Sequence, residues 1–200
     1  MSKNRIEAFS DGVLAIVITI MVLELRVPER AERLGDLRPL VPVFSSYVLS
    51  FVFLGIYWNN HHHLLHATQR ASAAVMWANH HLLFWLSLVP FTTAWMGENH
   101  FAPVPLALYG FVLLMAAVAY TVLQRAVLRQ HGEHSHLERS LGRDRKGRVS
   151  IALYLLAIPG AFVSPWLAGA SYVAVALMWL VPDRRIERAL EPRDGRGSGA

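Results

Sequence analysis

The sequence predicts an all-α, polytopic membrane protein with six transmembrane helices in each subunit. Hydrophobic residues make up 54% of the 200 residues and the mean hydropathy is +0.34, which is more apolar than soluble domains usually are. Charged residues contribute only 16% and fall in blocks between long apolar runs. Because a helix needs about 20 mostly apolar residues to cross a bilayer, these runs indicate membrane spans with no separate soluble domain.

A single transmembrane domain is predicted over residues 1–200. The apolar stretch from Val149 to Val181 is too long for one crossing, and it contains Pro159 and Pro165, which discourage a continuous helix. We therefore expect two short helices packed as a hairpin in this stretch. The predicted spans cover residues 6–25, 43–66, 73–96, 103–128, 149–164 and 166–181.

The distribution of Lys and Arg predicts which side of the membrane each segment faces. Most of the 19 basic residues lie near the N-terminus, in the linker 129–148 and in the tail 183–200. Basic residues accumulate in cytoplasmic loops, so both termini, the linker and the tail are predicted to be cytoplasmic in the plasma membrane. This asymmetry also accounts for the pI near 10.0 without a nucleic-acid partner.

Enzymatic and metal-dependent functions have little support. The chain has no Cys, no Gly-rich phosphate loop, no G-x-S-x-G elbow and no H-E-x-x-H motif. His62 and His66 have the spacing of a helical metal site, but no acidic pair accompanies them. The loop histidines His131, His134 and His136 are expected to be surface residues. We predict no catalytic residue, no metal and no cofactor.

The first helix carries a narrow stripe of residues that share one face. At 3.6 residues per turn, this face contains mainly apolar side chains, with Thr19 at its edge. Ser10 and Asp11 lie off the stripe. The stripe consists of Arg5, Phe9, Gly12, Ile16, Ile20 and Leu23.

Polar residues of the first three spans are predicted to share one layer near the cytoplasmic side. Polar groups buried in lipid must be paired, preferably inside the helix bundle. We expect Ser10 and Asp11 to form hydrogen bonds there with Trp58 and with histidines of the second span. Asp11 would then clamp the helices together, although a proton or ion relay is the alternative. The layer contains Ser10, Asp11, Trp58, Asn59, His61, His62 and Asn79.

Three sequence blocks, in order, resemble the transmembrane protein 175 family in its bacterial branch. They are "RIEAFSDGVLAI" from Arg5, which matches the Arg-x-x-x-Phe-Ser-Asp signature, "WNNHH" from Trp58 and "NHHLLFWLSLVPF" from Asn79. The resemblance covers about Arg5 to Thr93. The third His of "HHH" and the His80–His81 pair depart from the family pattern, so the histidine that contacts Asp11 is left open.

The resemblance implies a potassium channel in which four six-helix subunits form a pore lined by the first helix. Family positions of the constriction match Ile16, with Thr19 beside it and Ile20 and Leu23 further out. Four Ile16 side chains on one axis would make a dry neck that favours K⁺ modestly, because K⁺ holds its water less strongly than Na⁺. Glu24 would form an acidic outer mouth. The implied partners are K⁺, the bilayer and copies of this chain.

Two functional classes follow from these observations. The first is passive K⁺ conduction. The second is a proton-coupled secondary cation transporter that uses Asp11 and the histidines of the second span. Transporters often contain inverted repeats and broken helices at the membrane midplane. The first span has Gly12 but no Pro, and no inverted repeat is evident, so the channel is favoured.

Overall fold

A computed structural model describes residues 3–28, 31–68, 70–130 and 144–180. These residues form helices and connecting segments without a β-strand, which confirms the all-α prediction. The predicted tail 183–200, most of the linker 129–148 and the three loop histidines lie outside the described residues. The α-helices are α1 Lys3–Met21, α2 Val41–Ala67, α3 Ala73–Ser87, α4 Val89–Glu98, α5 Pro103–Leu128, α6 Arg145–Val163 and α7 Pro165–Leu180.

Within the described part of the chain, four helical segments are long and apolar enough to cross a membrane, and α7 is a shorter apolar helix. The four are Lys3–Glu24, Leu34–Ala67, Pro103–Leu128 and Arg145–Val163. Two of them include short 3₁₀ segments, Val22–Glu24 after α1 and Leu34–Leu40 before α2. This confirms a membrane protein, while the count of six crossings stays a prediction.

The third predicted span, 73–96, is interrupted in the structure. α3 ends at Ser87 and α4 begins at Val89, with Pro90 in its first turn. Pro lacks the N–H that would continue the helical hydrogen-bond ladder, so a helix tends to end just before it. Leu88 instead donates its N–H to Trp85 O at 3.3 Å, which tightens this turn. The two pieces together have about the length of one crossing.

Pro159 was expected to interrupt the last apolar stretch, but it lies inside the helix α6. The helix continues to Val163 and the chain turns at the extended residue Ser164, just before Pro165. In a membrane helix, neighbouring groups can satisfy the carbonyl that a proline leaves free. The predicted hairpin is therefore present as α6 and α7, but Ser164 and Pro165 form its turn.

Two apolar cores hold the helices together. The first joins α1, α2, α3 and α5, and Leu14, Leu54 and Leu82 are completely buried in it. The second joins α5, α6 and α7, where Tyr109 and Tyr172 meet edge to face with ring centroids 5.5 Å apart. α1 lies at one side of this bundle, against α2, α3 and α4. Among the described residues, one face of α1 therefore has no neighbouring helix.

Candidate functional site

α1 has a buried face and an exposed face. The buried side chains recur every three or four residues, which is the spacing of one helical face. They are Ile6, Ser10, Leu14, Val17 and Met21. These residues pack against α2, α3 and α4 and so fix how α1 is rotated about its own axis.

The stripe identified in the sequence lies on the exposed face. Ile16 is 58% exposed and Leu23 is 71% exposed, which is unusual for large apolar side chains in a packed bundle. Phe9, Ile20, Gly12 and Arg5 are exposed as well. The exposed arc is wider than the predicted stripe and also includes Ala8, Ala15, Thr19 and Val22.

Thr19 turns its hydroxyl hydrogen toward its own helix. Its Oγ1 lies 2.9 Å from Ala15 O and 3.1 Å from Ile16 O, and it donates to these carbonyls. A hydroxyl that donates in this way keeps acceptor lone pairs on its oxygen. The exposed face of α1 therefore includes an oxygen acceptor about one turn beyond Ile16.

Asp11 is joined to α2 by one hydrogen bond. The indole Nε1 of Trp58 donates to Asp11 Oδ1 at 3.1 Å. Hydrogen bonds to a charged acceptor are stronger than neutral ones, so this contact helps to hold α1 against α2. The structure thus brings together two residues that the sequence placed in one layer.

Ser10, Asn79 and His61 form a second, fully buried chain of hydrogen bonds. Asn79 Nδ2 donates to Ser10 Oγ at 2.9 Å, and Ser10 Oγ donates to Ile6 O at 2.8 Å. His61 Nε2 lies 2.6 Å from Asn79 Oδ1 and donates to it when the hydrogen is on Nε2. This chain connects α1, α3 and α2, and each buried polar group in it has a partner.

Two contacts in this layer were not predicted from the sequence. His62 Nδ1 lies 3.2 Å from Glu7 Oε1, and the rings of Phe9 and His80 stack with centroids 5.6 Å apart. The sequence did contain a signal for the contact between Glu7 and His62. Glu7 and Asp11 are four residues apart on α1, and Trp58 and His62 are four residues apart on α2. Residues four apart lie on the same side of a helix, so the two pairs face each other.

The remaining predicted residues lie outside this network. Asn59 is exposed and takes no part in the hydrogen bonds described above. His62 and His66 have ring centroids 5.5 Å apart. Among the described residues, no group of three or more His, Asp or Glu side chains is arranged to hold a metal ion.

A groove of about 760 Å³ runs between α1 and α4 beside the exposed stripe. Its walls are mostly apolar, and the end farthest from the N-terminus of α1, called its outer end under the predicted orientation, carries two acidic residues, Glu24 and Glu98. The lining residues are Val13, Ile16, Val17, Ile20 and Glu24 on the side of α1 and Ser87, Pro90, Phe91, Ala94, Trp95 and Glu98 on the side of α4.

Comparison with known proteins identifies the family. The profile of the endosomal/lysosomal potassium channel TMEM175 matches residues 5–90. A potassium channel of Chryseobacterium sp. (strain P1-3) is 50% identical over 191 residues, which is 96% of this chain and 99% of that protein. The chain belongs to the TMEM175 family.

A solved structure of the TMEM175 family has the same fold. The lysosomal potassium-selective channel TMEM175 homolog from Chamaesiphon minutus matches with a TM-score of 0.78 and 29% sequence identity, over 90% of this chain and 97% of that one. The relatives are channels, so this TMEM175 protein is a cation channel of the membrane and not an enzyme. The part of the chain that matches the family profile includes α1, α2 and α3. These three helices supply every residue of the hydrogen-bond network described above.

Animal relatives of the TMEM175 family match a smaller part of this chain. The human endosomal/lysosomal proton channel TMEM175 is 35% identical over 86 residues, which is 38% of this chain but 17% of the human protein. The relatives are therefore named for two different ions, potassium in bacteria and the proton in animals.

Proposed function

We propose that this protein is a potassium-selective channel in the plasma membrane, formed by four copies of the chain with α1 lining the pore. The exposed stripe of α1 is the observation that supports the proposal most strongly. Ile16, Ile20 and Leu23 are exposed on this face among the described residues, whereas the opposite face is fixed by buried hydrogen bonds. Copies of α1 around a common axis would cover this face.

The constriction is proposed at Ile16. Four isoleucine side chains around an axis exclude water, and an ion must lose most of its hydration shell to pass. K⁺ loses its water at lower cost than Na⁺, so a dry neck favours K⁺. Ile20 and Leu23 would continue the apolar wall outward, and the Thr19 oxygen could replace part of the lost hydration.

The charged residues of this segment, Glu24 after the end of α1 and Asp11 near its middle, fit this arrangement. Glu24 lies at the outer end of the groove and would raise the local concentration of cations at the mouth. Asp11 is assigned a packing role, because its carboxylate accepts from Trp58 and points away from the stripe. Both termini are proposed to be cytoplasmic, since the basic residues are concentrated near them.

Ion flux into liposomes tests the proposed permeant ion. The purified protein is reconstituted with a K⁺ or an Na⁺ gradient at equal pH on both sides, and the internal pH is followed with a trapped dye. We expect a K⁺ gradient to drive flux by itself and an Na⁺ gradient to drive much less. Obligatory exchange of protons for K⁺ would contradict the channel and favour the proton-coupled carrier. A proton current without K⁺ flux would favour the ion for which the animal relatives are named.

A further inference from the structure

The α1–α4 groove remains open in the subunit and lies beside the exposed stripe of α1. Phe91 and Trp95 form one wall, with ring centroids 6.1 Å apart, and Phe91 is 62% exposed. Ala94 lines the groove beside these two rings. In the proposed tetramer the groove faces a neighbouring subunit. The segment of that subunit that fills the groove therefore determines how the subunits pack around the pore.

A ridge of exposed apolar side chains lies on α2. Phe44, Val48 and Phe51 lie on one exposed face of α2, and we name them the α2 ridge. Tyr47 supports the ridge from beneath, because its ring lies 6.3 Å from that of Phe44 and 6.1 Å from that of Phe51. Ser46 and Ser50, on the opposite side of α2, are buried inside the subunit.

The groove and the ridge lie at the same depth in the membrane. Ser50 Oγ and Thr93 Oγ1 are 2.6 Å apart, which places these two positions of the antiparallel helices α2 and α4 level with each other. Counting from this pair, Val48 is level with Trp95 and Phe51 with Thr92, so Ala94 and Phe91 lie within one residue, about 1.5 Å, of the ridge positions. Rotation about an axis along the membrane normal does not change depth, so the same positions stay level in neighbouring subunits.

Cyclic symmetry requires an interface between two different surfaces. In a ring, the surface on one side of each subunit packs against the surface on the other side of the next. α1 has α4 on one side and α2 on the other, because Val13 and Val17 line the groove and Asp11 bonds to Trp58. The groove and the ridge therefore lie on the two sides that meet.

Charges at the outer end are complementary as well. Glu24 and Glu98 line the outer end of the groove, and Arg38 is exposed in the 3₁₀ helix that leads into α2. None of these three forms an ion pair within the described part of the subunit. A second copy would bring the arginine near Glu98, while Glu24 stays at the pore mouth.

We propose that the α2 ridge of one copy packs into the α1–α4 groove of the next copy and so closes the tetramer around α1. This inference rests on the proposed tetrameric channel and adds the surfaces that form it. Each subunit supplies one groove and one ridge, so four identical contacts complete the ring and no ridge is left exposed.

Disulfide crosslinking in native membranes tests the contact. The chain has no Cys of its own, so thiols occur only where they are introduced. We expect Val48→Cys/Ala94→Cys and Phe51→Cys/Phe91→Cys to give dimers, trimers and tetramers on non-reducing gels after mild oxidation. Each single variant should stay monomeric, because the two thiols of one contact come from different surfaces. The control pair Val48→Cys/Phe162→Cys combines the ridge with an exposed position on α6.

The charges provide a second test that needs no close thiol contact. We expect Glu98→Arg to reduce the tetramer fraction measured by native mass spectrometry and Arg38→Glu/Glu98→Arg to restore it. Crosslinking of Val48→Cys alone would show that two ridges face each other and would overturn the inference. The inference would also be overturned if the protein forms tetramers but neither Cys pair crosslinks above the control and the charge reversal has no effect. The channel proposal would remain intact in that case. Absence of tetramers in the wild-type protein would contradict the proposed function itself.

Discussion

Trp58 Nε1 lies 3.1 Å from Asp11 Oδ1, and this hydrogen bond joins α1 to α2. Asp11 is the charged residue nearest the middle of α1, so its environment decides whether the helix can lie among its neighbours. One indole donor, together with the buried hydrogen bonds of Ser10, holds this part of α1 against α2 and α3. The opposite face is thereby directed away from the bundle.

Replacing Trp58 by Phe should destabilise the protein. The variant Trp58→Phe keeps an aromatic ring but leaves the Asp11 carboxylate without its donor, at a cost of about 1–2 kcal/mol. Thermal unfolding in detergent should show a lower midpoint. Trp77→Phe is the matched control, because Trp77 is 76% exposed. Equal midpoints for the two variants would contradict a role of this bond in stability.

Replacing Asn79 by Leu should have a larger effect. Asn79→Leu is close in size but removes the partner of buried His61 and one of the two partners of buried Ser10, which keeps its bond to Ile6 O. An unsatisfied buried polar group costs about 1–3 kcal/mol. Asn59→Leu, at an exposed position, should change the unfolding midpoint little. Similar midpoints would show that the buried chain of hydrogen bonds does not stabilise the packing of α1.

Replacing Ile16 by Asn should reduce ion selectivity. Ile16→Asn places amides in the proposed dry neck, which would hold water and let Na⁺ pass with K⁺. The ratio of Na⁺ flux to K⁺ flux in liposomes should rise, whereas Ile16→Leu, which keeps the neck apolar, should leave it nearly unchanged. An unaltered ratio in the Asn variant would remove Ile16 from the constriction.

Replacing Gly110 by Ala should weaken the contact between α5 and α7. An added Cβ at Gly110 would overlap the Tyr172 side chain, whose hydroxyl donates to Leu106 O at 3.0 Å. Such overpacking costs about 1–3 kcal/mol, which exceeds the gain of about 1 kcal/mol from the helix propensity of Ala. Gly169→Ala meets open space and should be neutral or stabilising. A thermal midpoint for Gly110→Ala as high as that of Gly169→Ala would contradict this packing.

Much of the architecture could be predicted because few structures satisfy the hydrogen-bonding groups of the backbone in lipid. Long apolar runs can only be helices there, and the all-α membrane fold is confirmed. Depth along each helix was enough to place Asp11 in one layer with Trp58 and Ser10 in one layer with Asn79. The family was evident from "RIEAFSD" and two further blocks, and the comparisons confirm it.

Other features depend on tertiary context that a linear pattern does not contain. Pro90 ends a helix and Pro159 does not, because the outcome depends on whether neighbouring groups satisfy the released carbonyl. The pairing of Glu7 with His62 requires α1 and α2 to be at a particular rotation and depth. The sequence does not show how α1 is rotated about its own axis within the bundle. The predicted stripe of α1 was therefore narrower than the face that the other helices leave exposed.

The hydrogen bonds and ion pair that tie α1 to its neighbours are unevenly spread along it. Among the described residues they involve only Lys3, Glu7, Ser10 and Asp11, and beyond Leu14 the helix is held by apolar contacts. Directional bonds resist sliding and rotation, while apolar contacts permit small displacements. In the proposed pore lined by α1, the wall would be stiff between Lys3 and Asp11 and compliant beyond Leu14. A change in bilayer thickness would therefore deform the half beyond Leu14 first.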